Sequence, residues 1–578
     1  MAAFLIDEGK PYYNLFKEHK MAIIDNFETG FDKKRYSYPL LAEYMDKAKS
    51  GKICALVGLR RTGKTIEMLQ YANELSDKGM NVLFLSIAEP YEKDMMEHPE
   101  KLVQISDIYD IIDDAQKSGC QAIFIDELTY VNGFLYANLL ANKYAMKTPI
   151  FVSGTDSLGF EIAGRDALYD RIVKIPTSYI PFDEFHHLLP EKSLDDYIKF
   201  GGTLHDESPY KERQSAEEYM NTAIAGNIIH ALKFDEIDRN YDALTDLYKA
   251  NDLKGAIQKL ANKAGQNIAI RSIRKEYESA PIRTALKNLS KENAEPDFDL
   301  ALAKKSESLK NIENELREIF EIRLNSELAK GFRDEDFKEL KRYLYEIGLL
   351  RQIPVYMELS DKSISESDPK EILLQPGMLY CHAQEALKSL TFHEKVFDDW
   401  NIGNRAAFMD RLDRQVKGDI LESIILFDTY EAFPKMRNAN DTHGYYVSKL
   451  RLENVIWHDV NLTGNEIDMI IRTPESMDIY LFEVKYSTEK VSEQKRHLEN
   501  DIFLDYIEEQ FSGKIKGRAV IYNGSMDMSD DIKYINATDY LNKIKTLDKI
   551  EDLFISIKKE GGSEGIKRPD INDDFSEH

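Results

Sequence analysis

Two short stretches of this 578-residue sequence carry residue types suited to phosphate chemistry. The first is GLRRTGKT, from Gly58 to Thr65, which fits the pattern G-x-x-x-x-G-K-[ST]. Gly58 and Gly63 let the loop wrap so that backbone N–H groups, among them those of Arg60, Arg61 and Thr62, point at phosphate oxygens. The positive end of the following helix adds to that pull. Lys64 would bridge the β- and γ-phosphates and Thr65 would ligate Mg²⁺, so the expected ligand is ATP with its metal. The second stretch, NEIDMIIRTPESMDIYLFEVKYS, has the form of an aspartate, a turn and then E-x-K. Residues two apart on a strand share a face, so Glu483 and Lys485 point together. A hairpin turning near residues 475 and 476 sets Asp468 opposite Glu483, close enough to share a metal ion. Two carboxylates holding Mg²⁺ or Mn²⁺ beside a lysine that orients water suit phosphodiester cleavage. A salt-bridged, solvated hairpin is the other reading of the same residues.

More residues gather around the first stretch. AIFIDE places Asp126 at the carboxyl end of an apolar strand, where nucleotides bind in open α/β sheets, and Asp126 would hold Mg²⁺ through water. Glu127 follows it and can polarise an attacking water; a P-loop kinase does not need that second acid, so hydrolysis is favoured over phosphoryl transfer. PIFVSGTDS ends in small polar residues, so Ser153 or Thr155 could contact the γ-phosphate or the lytic water, with an ordinary strand-ending turn as the alternative. Arg165 and Arg171, in GRDALYDRIVKI, could supply charge to a transition state in the same subunit or a neighbouring one. A surface salt bridge is the alternative for each. His186 and His187 are adjacent, cannot share a helical face as a metal pair, and read as loop or surface residues. The basic runs Arg411–Lys417 and Lys449–Arg451 offer charge to a phosphate backbone, although interspersed acids also fit a solvated face.

The elements that must position these residues follow from apolar patterning. From Gly51 to about Phe185 the short runs ICALVG, VLFLSI, AIFIDE, PIFVSG and RIVKI alternate with helical patterns, which predicts a parallel sheet covered on both faces. Leu204 to Leu350 is rich in Lys, Glu, Ala and Leu at helical spacing. It ends in ELKRYLYEIGLLRQIPVY, a helix turning extended, as in winged-helix modules. Glu358–Lys370 is polar and reads as a loop. A third unit follows Phe392, with a helix around Gln415–Phe427 and strands at 445–449, 465–471, 479–485 and 518–522. The expected class is α/β. The expected units are an N-terminal extension over 1–34, a P-loop ATPase domain over 35–205, a helical region with a winged-helix-like element over 206–390, an α/β nuclease-like domain over 391–558 and a disordered tail over 559–578.

Composition bounds these expectations. The formal charge of -26 and pI near 5.0 repel nucleic acid over much of the surface, so a nucleic-acid site must be a local basic groove. Hydrophobic residues at 43% and charged residues at 31%, with a mean hydropathy of -0.47, describe a soluble globular chain. Cys54, Cys120 and Cys381 lie too far apart for a disulfide framework or a zinc motif. Neither a secretory signal pattern nor an apolar run of membrane-spanning length occurs, so a cytoplasmic protein without a membrane partner is expected.

GLRRTGKT, AIFIDELTYV, PIFVSGTDSLGF, GRDALYDRIVKIPTSYIPFDEF and FGGTL together resemble the AAA+-like ATPases of bacteria and archaea that carry a restriction-endonuclease-like C-terminal domain. The resemblance covers about residues 35–205, with YLYEIGLL and LLQPGML beyond them, and makes Arg171 the matching arginine. The stretch between about 230 and 335 matches no family pattern. The D…E-x-K hairpin resembles the PD-(D/E)xK nuclease core, whose acidic residue on a preceding helix corresponds to Glu422 in GDILESIILFDTY, with Asp419 a turn earlier as second candidate. The same core implies that Gln494, Lys495 and Arg496 lie on a helix facing substrate. The implied function is an ATPase whose nucleotide state controls a nuclease acting on DNA or RNA, in host defence or a mobile element, as a homo-oligomer or with a regulatory partner. The rival expectation, motivated by the acidic balance and the long helical middle, is a signalling or scaffold ATPase whose C-terminal domain only binds a partner.

Overall fold

The computed structural model describes residues 8–46, 51–88, 98–134, 137–154, 160, 168, 170–204, 242–249, 334–346, 348–358, 364–366, 370–391, 402–433, 444–453, 455–490 and 492–554. Thr155, Arg165, the tail from 559 and the helical middle between 230 and 335, apart from 242–249 and 334–335, lie outside the described residues. The chain divides into two units, one of residues 1–270, 302–351 and 373–398, the other of 271–301, 352–372 and 399–578.

The first unit holds strands β1 (Met21–Ile23), β2 (Ile53–Val57), β3 (Val82–Ile87), β4 (Ala122–Asp126), β5 (Ile150–Gly154) and β6 (Ile172–Pro176), in the order β1-β3-β4-β5-β2-β6. Strands β2 to β6 pair in parallel. Every residue of β2, β4 and β5 is buried, as a sheet covered on both faces requires. Alternate residues feed opposite cores, because side chains on a strand change face at each step. Ile53, Ala55, Ile123, Ile125, Ile150 and Val152 pack with Ile108, Ile111, Ile112 and Ala115 of helix α3 (Ile105–Lys117). Those helical positions follow the spacing of one apolar face. Cys54, Leu56, Phe84, Phe124 and Phe151 meet helices α1 (Tyr38–Asp46) and α2 (Lys64–Asp77). Phe124 stacks on Phe84 at 5.7 Å and on Phe151 at 4.6 Å, which locks three neighbouring strands in register.

Strand β1 corrects the expectation that residues 1–34 stand apart from the ATPase domain. Met21 pairs with Ile87 and Ile23 with Leu85, so the N-terminal segment supplies the antiparallel edge of the sheet. Beyond β6 come helices α4 (Phe182–Leu188) and α5 (Leu194–Phe200); His186 and His187 sit on the last turn of α4, with His187 at the surface. Helix α6 (Asp334–Glu346) precedes β7 (Leu350–Ile353), which pairs with β10 (Lys370–Leu373) in a two-stranded sheet. Helix α7 (Pro376–Thr391) follows.

The second unit is built on a seven-stranded sheet in the order β17-β16-β15-β14-β11-β8-β9. Its strands are β8 (Val355–Glu358), β9 (Ile364–Glu366), β11 (Tyr446–Leu452), β14 (Glu466–Arg472), β15 (Ile479–Lys485), β16 (Ile515–Tyr522) and β17 (Ile532–Asn536); β12 (Ile456–Trp457) and β13 (Val460–Asn461) form a separate small hairpin. Two boundaries shift relative to the sequence expectation. Strand β8 pairs in parallel with β11 and β9 adds to β8, so this unit reaches back well before residue 391 and the expected loop from Glu358 contains a strand. The helix expected at Gln415–Phe427 is α8, running from Ile402 to Ala432. Helices α9 (Asp501–Gln510) and α10 (Ala537–Lys543) complete the unit, α9 joining the parallel neighbours β15 and β16. Strand β17 was not expected; its five residues carry too little pattern to stand out.

The register of β14 and β15 is the expected one. Met469 pairs with Phe482 and Arg472 with Ile479, and one step further places Asp468 opposite Glu483. The turn closes through Thr473 N donating to Asp478 O at 2.9 Å, with positive φ at Glu475 and Met477. Among the described residues no helix is long and apolar enough to cross a membrane.

Candidate functional site

The loop from Gly58 to Gly63 joins the buried end of β2 to the first turn of α2. At Gly58 a Cβ would stand 2.8 Å from Ser178 N, so no larger residue fits there. Gly63 caps α2 in the left-handed region at φ 87°, where a Cβ is unfavourable. Thr62 is buried and its hydroxyl donates to Leu59 O at 2.9 Å, which closes the loop on itself. Lys64 Nζ donates to the carbonyls of Gly58 at 2.8 Å and Leu59 at 2.7 Å, so its ammonium lies over the loop. Burial pulls that ammonium down to about 8, against the opposing fields of Glu127 and Asp126. A phosphate anion near Lys64 would restore the protonated form.

Asp126 ends β4 beside this loop. Its Oδ2 accepts from Thr65 Oγ1 at 2.8 Å, and its Oδ1 accepts from Ser153 Oγ. Glu127 N donates to the same Ser153 hydroxyl at 3.2 Å, and Glu127 itself takes a positive φ of 59°. The expected contact of Ser153 with the γ-phosphate or lytic water is therefore corrected. Ser153 is fully buried behind Asp126, and its hydroxyl is spent on orienting that carboxylate. Thr65 and Asp126 are hard oxygen donors of the kind Mg²⁺ uses with phosphate and water, so the pair fits the metal that ATP carries. A cleft of about 740 Å³ opens here, lined by Arg60 to Glu67, Glu127 and Tyr130 together with the apolar Phe31, Leu188, Leu189 and Leu204. That size and polarity suit a nucleotide. Arg60 donates to the Tyr130 hydroxyl on the cleft wall.

Arg171 precedes β6, next to Ile53 at the amino ends of the strands; Ile53 N donates to its carbonyl at 2.9 Å. The phosphate loop leaves the carboxyl end of β2, five residues of extended chain away, roughly 16 Å at about 3.3 Å each. A role for Arg171 on its own subunit's nucleotide is thus corrected by the polarity of a parallel sheet.

Two residues of the cleft escaped the sequence reading. Arg35, buried, donates through Nη1 to Thr62 O at 2.6 Å and to Thr177 O at 3.1 Å. Its Nε and Nη2 meet the two oxygens of Glu184 at 2.8 and 3.1 Å, so one guanidinium ties the phosphate loop to α4. Glu67, on α2, lines the cleft and is fully buried; Ser37 donates to its Oε1 at 2.7 Å, while Oε2 has no hydrogen-bond partner among the described residues. Burial raises the Glu67 carboxyl from 4.5 to about 7, with Arg35 acting in the opposite direction. Between those values the folded chain holds a proton that the unfolded chain has released, so stability falls as pH rises through that window. Glu67→Gln removes this dependence. Urea denaturation at pH 4.5 and pH 7.5 is expected to show the parent losing roughly 3 kcal/mol more than the variant. Equal losses would refute the assignment.

The second cluster lies in the sheet of the other unit. Asp468 and Glu483 are buried at 4% and 3% exposure, on adjacent strands. Lys485 Nζ bridges them, 3.0 Å from Asp468 Oδ2 and 2.5 Å from Glu483 Oε2, and Val484 N donates to the same Asp468 oxygen at 2.9 Å. Glu422 of α8 joins through Lys449 of β11, whose Nζ is 2.8 Å from Glu422 Oε1 and 3.5 Å from Asp468 Oδ1. Lys370 reaches the same Glu422 oxygen at 2.7 Å, and His497 Nδ1 stands 3.4 Å from Glu483 Oε1. Burial works against the ammoniums of Lys449 and Lys485, yet the facing carboxylates overcome it and hold both well above the usual lysine range. Burial likewise opposes the Asp468 anion, but Lys485 and Lys449 keep it well below the usual carboxylate range. Glu483 is pushed up by burial and by Asp468.

Carboxylate oxygens suit Mg²⁺ or Mn²⁺, so the donor chemistry of Asp468, Glu483 and Glu422 fits such an ion. Among the described residues, however, no three His, Cys, Asp or Glu side chains stand at metal-holding spacing, and each of these carboxylates already contacts an ammonium. Lys370, Lys449 and His497 were not expected at this site. Only Lys449 had drawn notice, as part of a basic run. The expected helix at Gln494–Arg496 is a short 3₁₀ turn, Ser492–Lys495, in which Gln494 donates to Glu489 O at 3.0 Å and Lys495 lies over the Tyr534 ring.

Comparison with known proteins bears on the first unit. Residues 50–186 match the family described as "AAA domain". An uncharacterized protein of Haemophilus influenzae is 24% identical over 254 residues, which cover 41% of this chain and 58% of the relative, so the chain spans less than two thirds of that relative's length. Among solved structures, a Walker-type ATPase of Pyrococcus abyssi aligns over 62% of this chain and 99% of its own, at 13% identity and a TM-score of 0.28. AMPPCP-bound DnaA from Aquifex aeolicus aligns over 59% and 93%, at 14% identity and a TM-score of 0.21. The family match falls on the strands and loop that build the cleft, so residues 50–186 are similar to AAA domains in the stretch that carries the phosphate loop.

Proposed function

We propose that ATP binding and hydrolysis in the AAA domain control a metal-dependent phosphodiesterase centre at Asp468, Glu483 and Lys485, acting on DNA or RNA. The observation that carries this reading is the bridged pair: two buried carboxylates, opposite one another on adjacent strands, share one lysine ammonium. Asp468 and Glu483, with Glu422 beside them, would hold Mg²⁺ or Mn²⁺. The ion would supply Lewis acidity to the phosphate. Lys485 would then donate to an oxygen on which charge develops. In the ATPase, Lys64 would contact the β- and γ-phosphates, Thr65 and Asp126 would hold Mg²⁺, and Glu127 would orient the attacking water. Arg171 could act only on a neighbouring subunit, so that role requires a homo-oligomer. A task in host defence would suit a nuclease under nucleotide control.

The test is incubation of purified protein with DNA and RNA of several forms, with Mg²⁺ or Mn²⁺, with and without ATP. Metal-dependent cleavage lost in Asp468→Ala is expected. Intact substrates under every condition would sink the reading. One observation favours a second reading, in which the C-terminal unit only binds a partner: Lys370 and Lys449 already neutralise Glu422. On that reading ATP turnover persists, no substrate is cut, and Asp468→Ala changes no activity.

A further inference from the structure

We propose that Lys449 and Lys370 are internal counter-cations that close the carboxylate centre of the second unit to divalent metal until a nucleic-acid strand draws them away. This rests on the reading of that centre as a phosphodiesterase, and it concerns how the centre is regulated.

A lysine beside two carboxylates is all that the proposed chemistry requires, and Lys485 fills that place. Two further lysines are present. Glu422 Oε1 accepts from Lys370 at 2.7 Å and from Lys449 at 2.8 Å, and Lys449 also stands 3.5 Å from Asp468 Oδ1. Lys485 takes the other Asp468 oxygen and Glu483 Oε2. Three ammoniums therefore contact three carboxylates before any metal arrives, and Glu466 adds a further acidic field at Lys449. Mg²⁺ and Mn²⁺ bind carboxylate oxygens at about 2.0–2.2 Å. An ion at Asp468 and Glu422 would sit within a few ångströms of the Lys449 ammonium, whose repulsion opposes binding.

The side chains of Lys370 and Lys449 keep 17% and 14% exposure, although burial still weighs on the Lys449 ammonium. Each rides on a flexible four-carbon stem, which lets it change partners without moving its strand. A nucleic-acid strand brings a row of phosphate anions, and an ammonium exchanged from Glu422 to a phosphate keeps a charge-assisted hydrogen bond. Withdrawal of Lys449 would uncover Glu422 and one oxygen of Asp468 together. Metal and substrate would then load as a pair, and the free protein would hold little metal at this centre.

The experiment measures Mn²⁺ binding by electron paramagnetic resonance of the free ion, in full-length, nucleotide-free protein. Asp126→Asn is present in every arm, so that the ATPase site is not read. Lys449→Met is expected to bind Mn²⁺ at least about tenfold more tightly than the parent, and Lys449→Arg to bind as weakly as the parent. A non-cleavable phosphorothioate oligonucleotide is expected to tighten Mn²⁺ binding in the parent and to add little in Lys449→Met. Equal Mn²⁺ affinity in parent and Lys449→Met, or no effect of the oligonucleotide on the parent, overturns the proposal. If Lys449→Met does not fold, Lys370→Met serves: a gain of about threefold supports the proposal and no gain overturns it. Cleavage assayed in parallel separates the two readings. Tighter Mn²⁺ binding without cleavage removes the nuclease reading alone, whereas metal-dependent cleavage with unmoved Mn²⁺ affinity removes the counter-cation proposal alone.

Discussion

Lys64→Ala is expected to lower ATP turnover by about 10²–10³-fold, the loss typical of removing one donor aimed at developing charge. The structure says why the effect should fall on turnover rather than on folding. Among the described residues the Lys64 ammonium hydrogen-bonds to the carbonyls of Gly58 and Leu59, and Leu59 O keeps its bond from Thr62, so truncation costs about 1–3 kcal/mol. The loop itself is held by other means: Arg35 grips Thr62 O, and Thr62 closes on Leu59 O. Phosphate release measured beside binding of a fluorescent ATP analogue separates the effects. Lys64→Ala should weaken both, because the ammonium would meet the β- and γ-phosphates. Glu127→Gln should keep binding and lose turnover, because its proposed partner is water. Turnover within tenfold of the parent in Lys64→Ala would show that the loop does not serve hydrolysis.

What the sequence made legible is what a contiguous stretch can encode. GLRRTGKT announces a phosphate loop because its glycines, lysine and threonine lie within eight residues, and the strand before and helix after are set by local apolar pattern. The Asp468–Glu483 pairing was legible for a related reason: a short turn fixes the register of a hairpin, and register fixes which side chains face one another. Arg35 was not legible. Its partner Glu184 is 149 residues away, and nothing near either residue signals a guanidinium shared between a loop and a helix. Lys370 and Lys449 were hidden likewise, because Lys370 on β10 and Lys449 on β11 meet the same Glu422 across 52 and 27 residues of sequence. For Arg171 the limit was the opposite one. Its motif was visible, but only the parallel pairing of β2 with β6 shows that it stands at the wrong end of the strands.

The two sites also differ in how they hold charge. The cleft around the phosphate loop keeps a cation, Lys64, whose burial is only partly offset by acids. The second cluster has each carboxylate in contact with an ammonium already, and metal can enter only by rearranging those contacts. Energetic consequences of mutation therefore separate as well. At the first site the expected losses are kinetic. At the second they begin with stability, since removing one partner of a buried ion pair leaves the other charge without compensation.

Lys485→Met is the substitution at which that difference should be largest. Its ammonium serves Asp468 and Glu483 at once, both of which are under 5% exposed. Removing one member of a buried pair costs about 3–5 kcal/mol, and the lower end, about 3 kcal/mol, is expected here because the Lys485 side chain is 34% exposed and water can reach the orphaned oxygens. Glu483, whose carboxyl is already pushed up by burial and by Asp468, should take up the proton once the ammonium is gone. A neutral Glu483 costs less as pH falls, so the destabilisation should shrink in acid and grow towards neutral pH. Urea denaturation of parent and variant across that range checks both the size and the sign. The double substitution of Lys485→Met with Glu483→Gln should recover part of the loss at neutral pH, since it makes the carboxamide that protonation imitates. A single variant as stable as the parent, or a loss that deepens in acid, would show that the bridge between Asp468 and Glu483 does not hold these strands. Any cleavage lost in that variant would then report chemistry alone.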